Sequence, residues 1–393
     1  MSEINQLIAH LYTNAPAFKA RLDDAGLTPA DVHTRADLVK IPIMRKDDLM
    51  VKQAENPPFG GFLACDMSEL QAVYQSPGPI HEPMIKGEDL GNWGVALSGA
   101  GFKPGEVSLV AFAYHMTPAG ASLQSGINST GGVVIPGGIG NQEQQLQAMI
   151  AFGATGYVGL GSYLNALLDK AAELGYELKL NKAFLLAEPL PPALREKLEG
   201  LGISVFQAYG TAECGNLGYD TPEMNGWHVP NNVILDICDI STGEPLPDGE
   251  TGEVVVTLMN KFYGATVRFG VGDLSAVIPE SRTDGGPLRI AGWQGRLAGS
   301  ATKVRGMFLH PVQLSSFMKR FDQEIIKFQA VITREDHRDN LAIEYVPSRG
   351  MQPDLAERIQ TAARENIKFK LTVNEVLAID ADGPIRDERN WDE

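Results

Sequence analysis

The chain has 393 residues, of which 44% are apolar and 21% are charged, and its formal net charge at pH 7 is −16. This length is sufficient for a large core and for more than one domain. The acidic balance argues against nucleic acid or an anionic membrane as the main partner, because both require a basic face. A locally basic pocket for a phosphorylated ligand is still compatible with it.

Targeting signals and cysteine usage favour the cytoplasm. The opening MSEINQLIAHLYTNAP lacks a basic region followed by an apolar block, so no signal peptide is expected. No apolar run is long enough to span a membrane. The three cysteines, Cys65, Cys214 and Cys238, are odd in number and widely spaced, which argues against a disulfide framework or a four-ligand zinc site.

The first 55 residues are predicted to be mainly helical. A second, short helix is expected at TPADVH, with Thr28 as its N-cap and Pro29 as its first helical residue. The first helix carries apolar residues at helical spacing, namely Ile4, Leu7, Ile8 and Leu11.

Residues 74–83 read YQSPGPIHEP, with a serine, a single glycine and a closing proline. A phosphate-binding loop normally offers glycines, hydroxyls and a cation, whereas this stretch offers Pro77, Pro79, Ile80 and Glu82. On these residues alone, a worn phosphate loop, a repurposed loop and an ordinary surface turn all stay open.

From residue 107, strand-like apolar segments alternate with helical segments. The predicted strands are VSLVAFAY, GGVVIP, GYVGL, KAFLLAE and ISVFQAYG. This alternation predicts a parallel sheet covered by helices. Ligands of such sheets gather at the carboxyl ends of the strands, which here are AYHMT, PGGIG, LGS, AEP and YGTAE.

Beyond the alternation, VILDICD and EVVVTLM flank the turn-rich STGEPLPDGETGE and are predicted to be antiparallel strands. FQAVITR and LAIEYVPS are predicted strands, PDLAERIQTAARENIK an amphipathic helix, and NEVLAID a last strand. The predicted fold class is α/β: residues 1–296 form a large domain with a mostly parallel sheet and a β-rich subdomain, and residues 297–393 form a small, mobile α+β domain. Ala298, Gly299 and Ser300 are the expected hinge.

The strand end FQAYGTAECG is the best candidate site. It presents an aromatic ring, a glycine, a hydroxyl and a carboxylate, namely Tyr209, Gly210, Thr211 and Glu213. Tyr209 would stack on a flat ring, and Glu213 would hold Mg²⁺ through oxygen. A structural turn with a solvated glutamate is the alternative.

Two further segments carry suitable groups. In VRFGVGDL, Asp273 would accept hydrogen bonds from a ribose diol, although a turn aspartate is about as plausible. GRLAGSATKVRG brings Arg296, Lys303 and Arg305 into an acidic protein, and its alternative is a solvated basic loop.

The order YGTAE, TGEPLPDGETGEVVVT, RFGVGDL and GR…KVRG…HP resembles the adenylate-forming acyl-CoA ligases, in particular the phenylacetate-CoA ligase branch. An early segment, FKARLDDAGLTPADVHTRADLVKIPIMRKDDL, resembles the N-terminal region of that branch. Two later segments, LLAEP and TGEPLPDGETGE, closely match its sequence. The resemblance covers nearly the whole chain.

The resemblance implies a reaction in two halves. A carboxylate attacks the α-phosphate of ATP to give an acyl-adenylate and pyrophosphate, and a CoA thiol then displaces AMP to give a thioester. It implies ATP/AMP, Mg²⁺ and coenzyme A as cofactors and a small carboxylic acid as substrate. In the family the small domain rotates between the two halves. Whether the chain forms a homodimer stays open.

The resemblance also implies individual roles for residues at the nucleotide site. Tyr209 would stack against adenine, and Asp273, helped by Arg296, would hold the ribose hydroxyls. Glu213 would bind Mg²⁺. The adenine pocket would also be lined by Ala187, Glu188 and Pro189.

Other roles concern the acid, the second half-reaction and a structural metal. Tyr114 would sit beside the acid, with Gly137 and Gly138 lining its pocket, although glycines after a strand are more often turns. Arg305 would turn toward the site in the thioester half. His228 matches a family histidine that helps to bind a structural metal in some members, but the cysteine pattern around it does not support zinc.

The chain departs from the family where phosphate charge is handled. In the loop, Ser76 and Gly78 match the family motif, and the resemblance implies that they bind the nucleotide. Most other positions of the loop no longer carry the backbone N–H groups and hydroxyls of the family, because prolines and Ile80 replace them. Glu82 adds a negative charge. Ala212 replaces the hydroxyl before the glutamate, and Arg386 or Arg389 stands near the place of the family's C-terminal lysine. Losing one such contact typically costs about 3–4 kcal/mol in the transition state, and losses within one site need not add.

Two functions follow. The first is an ATP-dependent acid:CoA ligase for an aryl or similar small acid, in which Glu213, Arg296 and Arg386 act in catalysis and Lys303 helps to hold the nucleotide. The second is a ligase-like protein that has lost adenylation and binds AMP, an acyl-adenylate or CoA. An unrelated α/β enzyme is disfavoured, because the chain lacks both the G-x-G-x-x-G and the G-x-x-x-x-G-K-[ST] loops.

Overall fold

The structure is a computed structural model with two compact units, Met1–Leu297 and Ala298–Glu393. The expected hinge, Ala298 to Ser300, and Gly78 of the predicted phosphate loop lie outside the described residues. The structure describes residues 2–76, 80–87, 91–264, 266–297, 302–305, 307–309, 311–335, 338–348, 354–367, 369–380 and 383–389.

The helices of the described part are short to medium in length. They are α1 (Glu3–Asn14), α2 (Pro16–Asp24), α3 (Arg35–Leu38), α4 (Lys46–Glu55), α5 (Trp93–Gly99), α6 (Ala119–Ser129), α7 (Gln142–Ala151), α8 (Gly161–Leu174), α9 (Pro192–Gly200), α10 (Pro311–Met318) and α11 (Leu355–Asn366). Over the same residues, no helix has the length and apolar character needed to cross a membrane.

Between residues 107 and 211 the strands alternate with helices as the sequence predicts, and the other strands lie outside this alternation. They are β1 (Met44–Arg45), β2 (Leu70–Ser76), β3 (Ile80–Ile85), β4 (Val107–Val110), β5 (Val133–Ile135), β6 (Gly156–Gly159), β7 (Lys182–Leu186), β8 (Ser204–Thr211), β9 (Gly215–Tyr219), β10 (Trp227–His228), β11 (Val233–Cys238), β12 (Gly252–Leu258), β13 (Phe269–Ser275), β14 (Arg289–Ile290), β15 (Gly295–Arg296), β16 (Thr302–Val304), β17 (Met307–Leu309), β18 (Ile325–Glu335), β19 (Arg338–Pro347), β20 (Thr372–Glu375) and β21 (Ile385–Asp387).

The predicted first helix is present as α1. The Ser2 side chain caps it by accepting a hydrogen bond from the Asn5 N–H, and its apolar face is fully buried. The segment after Thr28 forms only a single 3₁₀ turn, Pro29–Asp31, because the Asp31 carboxylate accepts both the N–H and the hydroxyl of Thr28 and the chain then becomes extended.

The large unit contains an eight-stranded sheet in the order β14-β10-β9-β8-β7-β6-β4-β5. Strands β4 to β8 are parallel, and β9, β10 and β14 continue the sheet in antiparallel pairing. Apolar residues of α7, α8 and α9 pack with Leu109, Tyr157 and Leu185 in one core, while residues of α5 and α6 pack with Val110, Val158 and Phe184 in another. Because side chains alternate along a strand, helices cover both faces, and the predicted α/β fold class is confirmed.

A second sheet of the large unit has the order β1-β13-β12-β11, with β15 paired to β13. The predicted antiparallel pairing of VILDICD and EVVVTLM is confirmed as β11 and β12. All seven residues of β12 are buried, which explains its nearly continuous apolar sequence. This sheet is the β-rich part of the unit.

The small unit has a four-stranded sheet in the order β20-β19-β18-β21. Helices α10 and α11 share one apolar core with it. The strand predicted at NEVLAID is displaced: β20 includes only its first two residues and ends at Glu375, and beyond it Leu377 is fully exposed while Ile379 is buried. The strand β21, which lies beside β18, was not predicted.

Candidate active site

Strand β8 delivers the predicted site residues to the centre of the large sheet. It continues through a tight turn into β9, and Thr211 Oγ1 stabilises this turn by accepting a hydrogen bond from the Cys214 N–H at 3.2 Å. A Cβ at Gly210 would lie 2.3 Å from the carbonyl oxygen of Gly215, so only glycine fits there. Gly210 and Thr211 therefore form the turn that places Glu213.

Tyr209 and Asp273 are joined directly. The Tyr209 hydroxyl donates to Asp273 Oδ2 at 2.9 Å, and Arg296 Nε lies 2.9 Å from Asp273 Oδ1. Trp293 Nε1 donates to the same Oδ1 at 3.3 Å, and the Trp227 ring stacks on Tyr209 with 5.9 Å between centroids. The structure thus brings together three residues that the sequence placed at one adenosine site.

This cluster has limited room for a further ligand group. A carboxylate offers about four acceptor positions, and Asp273 already accepts from three donors. Tyr209 is buried, and burial together with the Asp273 charge raises its pKa well above the usual range, so its hydroxyl remains a donor. Because the Trp227 ring covers one face of the Tyr209 ring, an adenine ring could stack only on the opposite face.

Glu213 is buried and lies at an ion pair. Its Oε2 is 3.0 Å from Lys46 Nζ at the start of α4, and Lys261 Nζ donates to its backbone carbonyl at 2.6 Å. Burial alone would raise the pKa of Glu213, but the Lys46 charge and hydrogen bonds from Lys46 and Thr211 outweigh it and lower the pKa. Glu213 is therefore an ionised carboxylate paired with Lys46, while Lys261 holds its backbone carbonyl; the sequence analysis singled out neither lysine.

The predicted phosphate loop is part of a β-hairpin. Strands β2 and β3 pair with Ser76 opposite Ile80 and Tyr74 opposite Glu82. Ser76 is buried, and its hydroxyl donates to the Ile80 carbonyl rather than facing outward. The Gln53 side chain clamps the hairpin by accepting from the His81 N–H and donating to its carbonyl.

Glu82 lies on the inward face of this hairpin and is only 6% exposed. Burial and, to a smaller extent, the nearby Glu213 charge raise the pKa of Glu82, while Lys261 and Lys46 oppose the shift; the resulting pKa is about 8. Glu82 is therefore mainly a neutral carboxylic acid at pH 7, and the repulsion that a charged Glu82 would exert on phosphate is largely removed.

A cavity of about 690 Å³ separates this hairpin from α6 and the turn after β8, and its size is typical of a small-molecule site. Tyr114 lines it, as predicted for the residue beside the acid, and Ala212 and Glu213 line it as well. Other lining residues from the hairpin, α6 and the loop after β12 are Tyr74, Glu82, Met84, Ser122, Ser125, Asn128, Lys261 and Tyr263.

Other predicted residues lie at strand ends but not in this lining. Gly137 and Gly138 form a turn after β5, where the Gln145 amide donates to both carbonyls, as glycines after a strand commonly do. At the end of β7, Ala187 adopts φ +76°, and Glu188 accepts from the N–H and hydroxyl of Ser162. Roles for Ala187, Glu188 and Pro189 in binding adenine stay predictions.

In the small unit, the two predicted arginines are engaged in the sheet. Arg386 on β21 donates to Gln329 and lies 3.4 Å from Glu344 and 2.9 Å from Glu388. Arg305, at φ +50°, donates from its backbone and side chain to Asp339 and from its side chain to the Lys370 carbonyl. Lys303 lies on β16. The roles of all three in catalysis or nucleotide binding stay predictions.

His228, which the resemblance relates to a structural metal, contacts neighbouring side chains. His228 Nε2 lies 3.0 Å from Asn225 Oδ1, and the ring packs beside Tyr219. Over the residues that the structure describes, no group of three or more His, Cys, Asp or Glu residues is arranged to hold a metal ion, and all three cysteines are free.

Comparison with known proteins finds similarity to the same family. A family described as AMP-binding enzyme matches residues 115–260. A phenylacetate-coenzyme A ligase of Thermus thermophilus is 27% identical over 372 residues, which cover 91% of this chain and 82% of that protein. The phenylacetate-coenzyme A ligase of Escherichia coli is 28% identical over 356 residues, covering 86% and 79%.

Solved structures share the fold. A 2-hydroxyisobutyryl-CoA ligase, crystallised with 2-HIB-AMP and CoA, has a TM-score of 0.85 and 20% identity over 99% of this chain and 89% of its own. An amide bond synthetase from Marinactinospora thermotolerans has a TM-score of 0.60 and 16% identity over 80% and 67%. The predicted resemblance is confirmed: over nearly its whole length, the chain is similar to the phenylacetate-CoA ligase-like branch of the adenylate-forming acyl-CoA ligases.

Proposed function

We propose that this protein is an ATP-dependent, AMP-forming acid:CoA ligase that acts on a small carboxylic acid. One observation carries the proposal: the same strand end, β8, presents Tyr209 to the buried Asp273 and, four residues later, places Glu213 in the lining of a ligand-sized cavity. The names of the relatives, phenylacetate-coenzyme A ligase, agree with this chemistry.

In the first half-reaction, a carboxylate oxygen of the acid attacks the α-phosphorus of ATP, and pyrophosphate leaves with the electrons of the broken P–O bond. Tyr209 and Asp273 would orient the adenosine, with Arg296 holding the Asp273 carboxylate in place. Lys261 and Lys46 provide positive charge at the Glu213 end of the cavity, where an anionic substrate group would be stabilised.

In the second half-reaction, the CoA sulfur attacks the acyl carbon and AMP leaves, so that the thioester bond replaces the mixed anhydride. Tyr114, which is part of the cavity wall, would contact the acyl group. The residues of the small unit, including Arg305 and Arg386, are proposed to act in one half or the other, as in the family.

Mg²⁺ fits the ionised carboxylate of Glu213, because magnesium is usually bound by one or two carboxylates together with substrate phosphates. The ion would neutralise developing phosphate charge when bound. Because Lys46 Nζ lies 3.0 Å from the Glu213 carboxylate, Mg²⁺ binding with ATP would require Lys46 either to move away or to contact the same carboxylate as the metal.

The decisive experiment measures pyrophosphate, AMP and thioester when the protein is mixed with ATP, Mg²⁺, CoA and a panel of aryl and short-chain acids. Stoichiometric formation of all three products with at least one acid is expected, together with their loss in Glu213→Gln. Glu55→Gln, at an exposed position of α4, serves as the matched control. Folded protein that releases no pyrophosphate with any acid would contradict the proposal.

A second candidate function is a ligase-like protein without adenylation, and the hairpin favours it. Glu82 replaces a potential phosphate-binding residue of the loop, and Glu213 is already ion-paired with Lys46 at 3.0 Å. This candidate predicts that AMP, CoA or a non-hydrolysable acyl-adenylate analogue raises Tm, while ATP with Mg²⁺ barely does. Strong stabilisation by ATP with Mg²⁺ would exclude it.

A further inference from the structure

Besides Glu213 Oε2, which is ion-paired with Lys46, two buried polar atoms in the wall of the cavity have no hydrogen-bond partner among the described residues. They are Glu82 Oε1 and Tyr114 Oη. Buried polar groups in folded proteins are nearly always satisfied, so an unpaired pair in one cavity indicates a ligand or water that completes them. The two atoms come from unconnected parts of the chain, the hairpin and the loop after β4.

The position of Glu82 is fixed by its surroundings. Alternation along β3 places Ile80, Glu82 and Met84 on the same face, and the cross-strand neighbour Tyr74 lies directly opposite Glu82. The two hydrogen bonds between Gln53 and the His81 backbone hold the register of the strand. Glu82 therefore cannot turn toward solvent without breaking the hairpin.

The remaining walls suit a polar rather than a purely aromatic ligand. Helix α6 contributes Ser122, Ser125 and Asn128, which recur at helical spacing and face the cavity. At the Glu213 end, Lys261 lies beside the backbone of Glu213 and provides positive charge for a carboxylate. The cavity thus has one end for an anion and a wall of hydroxyl and amide groups.

We infer that the acid bound in this cavity carries one or more hydroxyl groups besides its carboxylate, and that these hydroxyls pair with Glu82 and Tyr114. A hydroxyl both donates and accepts, so it can satisfy a carboxyl group and a phenol without adding charge. This inference rests on the proposed function and narrows its substrate class from small carboxylic acids to hydroxylated ones.

The test compares acids that differ by one hydroxyl: phenylacetate with 4-hydroxyphenylacetate, benzoate with 4-hydroxybenzoate, and isobutyrate with 2-hydroxyisobutyrate. Both kcat/KM for thioester formation and the rise in Tm on adding the acid are measured with the full chain. In at least one pair, the hydroxylated acid should be preferred about tenfold in kcat/KM, the effect of one good hydrogen bond.

Tyr114→Phe and Glu82→Leu identify the residues responsible. Tyr114→Phe should abolish the preference without lowering the Tm of the free protein, because it removes a hydroxyl that has no partner among the described residues. Glu82→Leu should also abolish it. Tyr12→Phe, on α1, removes a hydroxyl that donates to Asp23 of α2 and should leave the preference unchanged.

The outcomes separate this inference from the proposed function. Equal kcat/KM for all pairs, with thioester formed, would overturn the inference and leave the ligase function in place; water would then satisfy the two atoms. A hydroxyl-dependent rise in Tm that both variants lose, with no thioester formed, would support the inference and contradict the ligase function. A preference that persists in both variants would overturn the inference.

Discussion

Glu82 and Glu213 line the same cavity, yet the pKa of Glu82 is raised to about 8 whereas the pKa of Glu213 is lowered. Both carboxyl groups are buried, so desolvation acts on each. The difference arises because Lys46 lies 3.0 Å from Glu213, while Glu82 Oε1 has no partner in the described part of the chain. One cavity thus combines a neutral acid and an ionised one.

The raised pKa of Glu82 predicts a pH-dependent loss of stability. In the unfolded chain Glu82 ionises near its ordinary pKa, whereas in the folded protein it stays protonated up to about pH 8. The unfolded state therefore binds fewer protons between these values, and the free energy of unfolding falls as pH rises through this range, by up to about 1.4 kcal/mol per pH unit. Above about pH 8 this contribution is constant.

Urea denaturation of the wild type and of Glu82→Gln between pH 5 and 9 measures this effect. The difference in free energy of unfolding between the two should grow in favour of Glu82→Gln up to about pH 8 and then level off. Glu55→Gln, at an exposed residue of α4, should show no such growth. Parallel pH profiles for the wild type and Glu82→Gln would contradict the buried, neutral state of Glu82.

Lys46→Met should destabilise the protein, because it leaves the buried Glu213 carboxylate without its closest counter-charge. Breaking a buried ion pair from one side typically costs about 3–5 kcal/mol. The pKa of Glu213 should rise in the variant, since the Lys46 charge is the strongest effect that lowers it. Lys52→Met removes one partner of the exposed Lys52–Glu55 pair and should cost less than about 1 kcal/mol.

Chemical denaturation of both variants at pH 7 gives the comparison. A loss of stability for Lys46→Met no larger than that for Lys52→Met would show that Lys46 and Glu213 do not form the buried pair. Double substitution, Lys46→Met with Glu213→Gln, should recover part of the loss, because it removes the uncompensated charge.

The strand–helix alternation of the large unit could be predicted because the central strands β4, β6 and β7 are buried on both faces and the helices between them pack apolar residues against the sheet. The strand β21 could not, because three residues carry too little periodicity. The run containing Leu377 was apolar but exposed, and composition alone does not reveal on which side a residue lies.

Candidate site residues could be predicted where a local sequence pattern marks them, but not where they meet only through contacts between segments far apart in the sequence. Tyr209 and Asp273 lie near the carboxyl ends of β8 and β13, and Glu213 follows β8, positions that sequence reveals. Lys46 and Lys261 meet Glu213 only through the folding of separate elements, so no local pattern indicates them. The alternation of β3 did contain the signal that turns Glu82 inward, but the neighbouring prolines obscured the strand.

Arg386→Gln tests whether this arginine replaces the family lysine. Its ion pairs are partly exposed, so the loss of stability should stay below about 1 kcal/mol. If Arg386 stabilises the adenylation transition state, pyrophosphate release should fall about 100- to 1,000-fold, while thioester formation from a supplied acyl-adenylate stays unchanged.

Arg358→Gln is the matched control, because Arg358 lies in the same unit and pairs with Glu324 at 2.7 Å. It should leave both half-reactions unchanged. Equal rates of pyrophosphate release for Arg386→Gln and the wild type would exclude a catalytic role for Arg386, and an equal fall in both half-reactions would indicate a structural effect.

Asp273→Asn tests the proposed adenosine site. The Asn oxygen can still accept from the Tyr209 hydroxyl, but the variant loses the charge that faces Arg296 at 2.9 Å. Because charge-assisted hydrogen bonds contribute about 1.5–3 kcal/mol, AMP affinity should fall about 10- to 100-fold by isothermal titration calorimetry. Asp236→Asn weakens a similar pair, Arg35–Asp236, on β11 of the same sheet and should leave AMP affinity unchanged. Equal affinities for AMP in Asp273→Asn and the wild type would remove Asp273 from the nucleotide site, and with it the central contact of the proposed ligase.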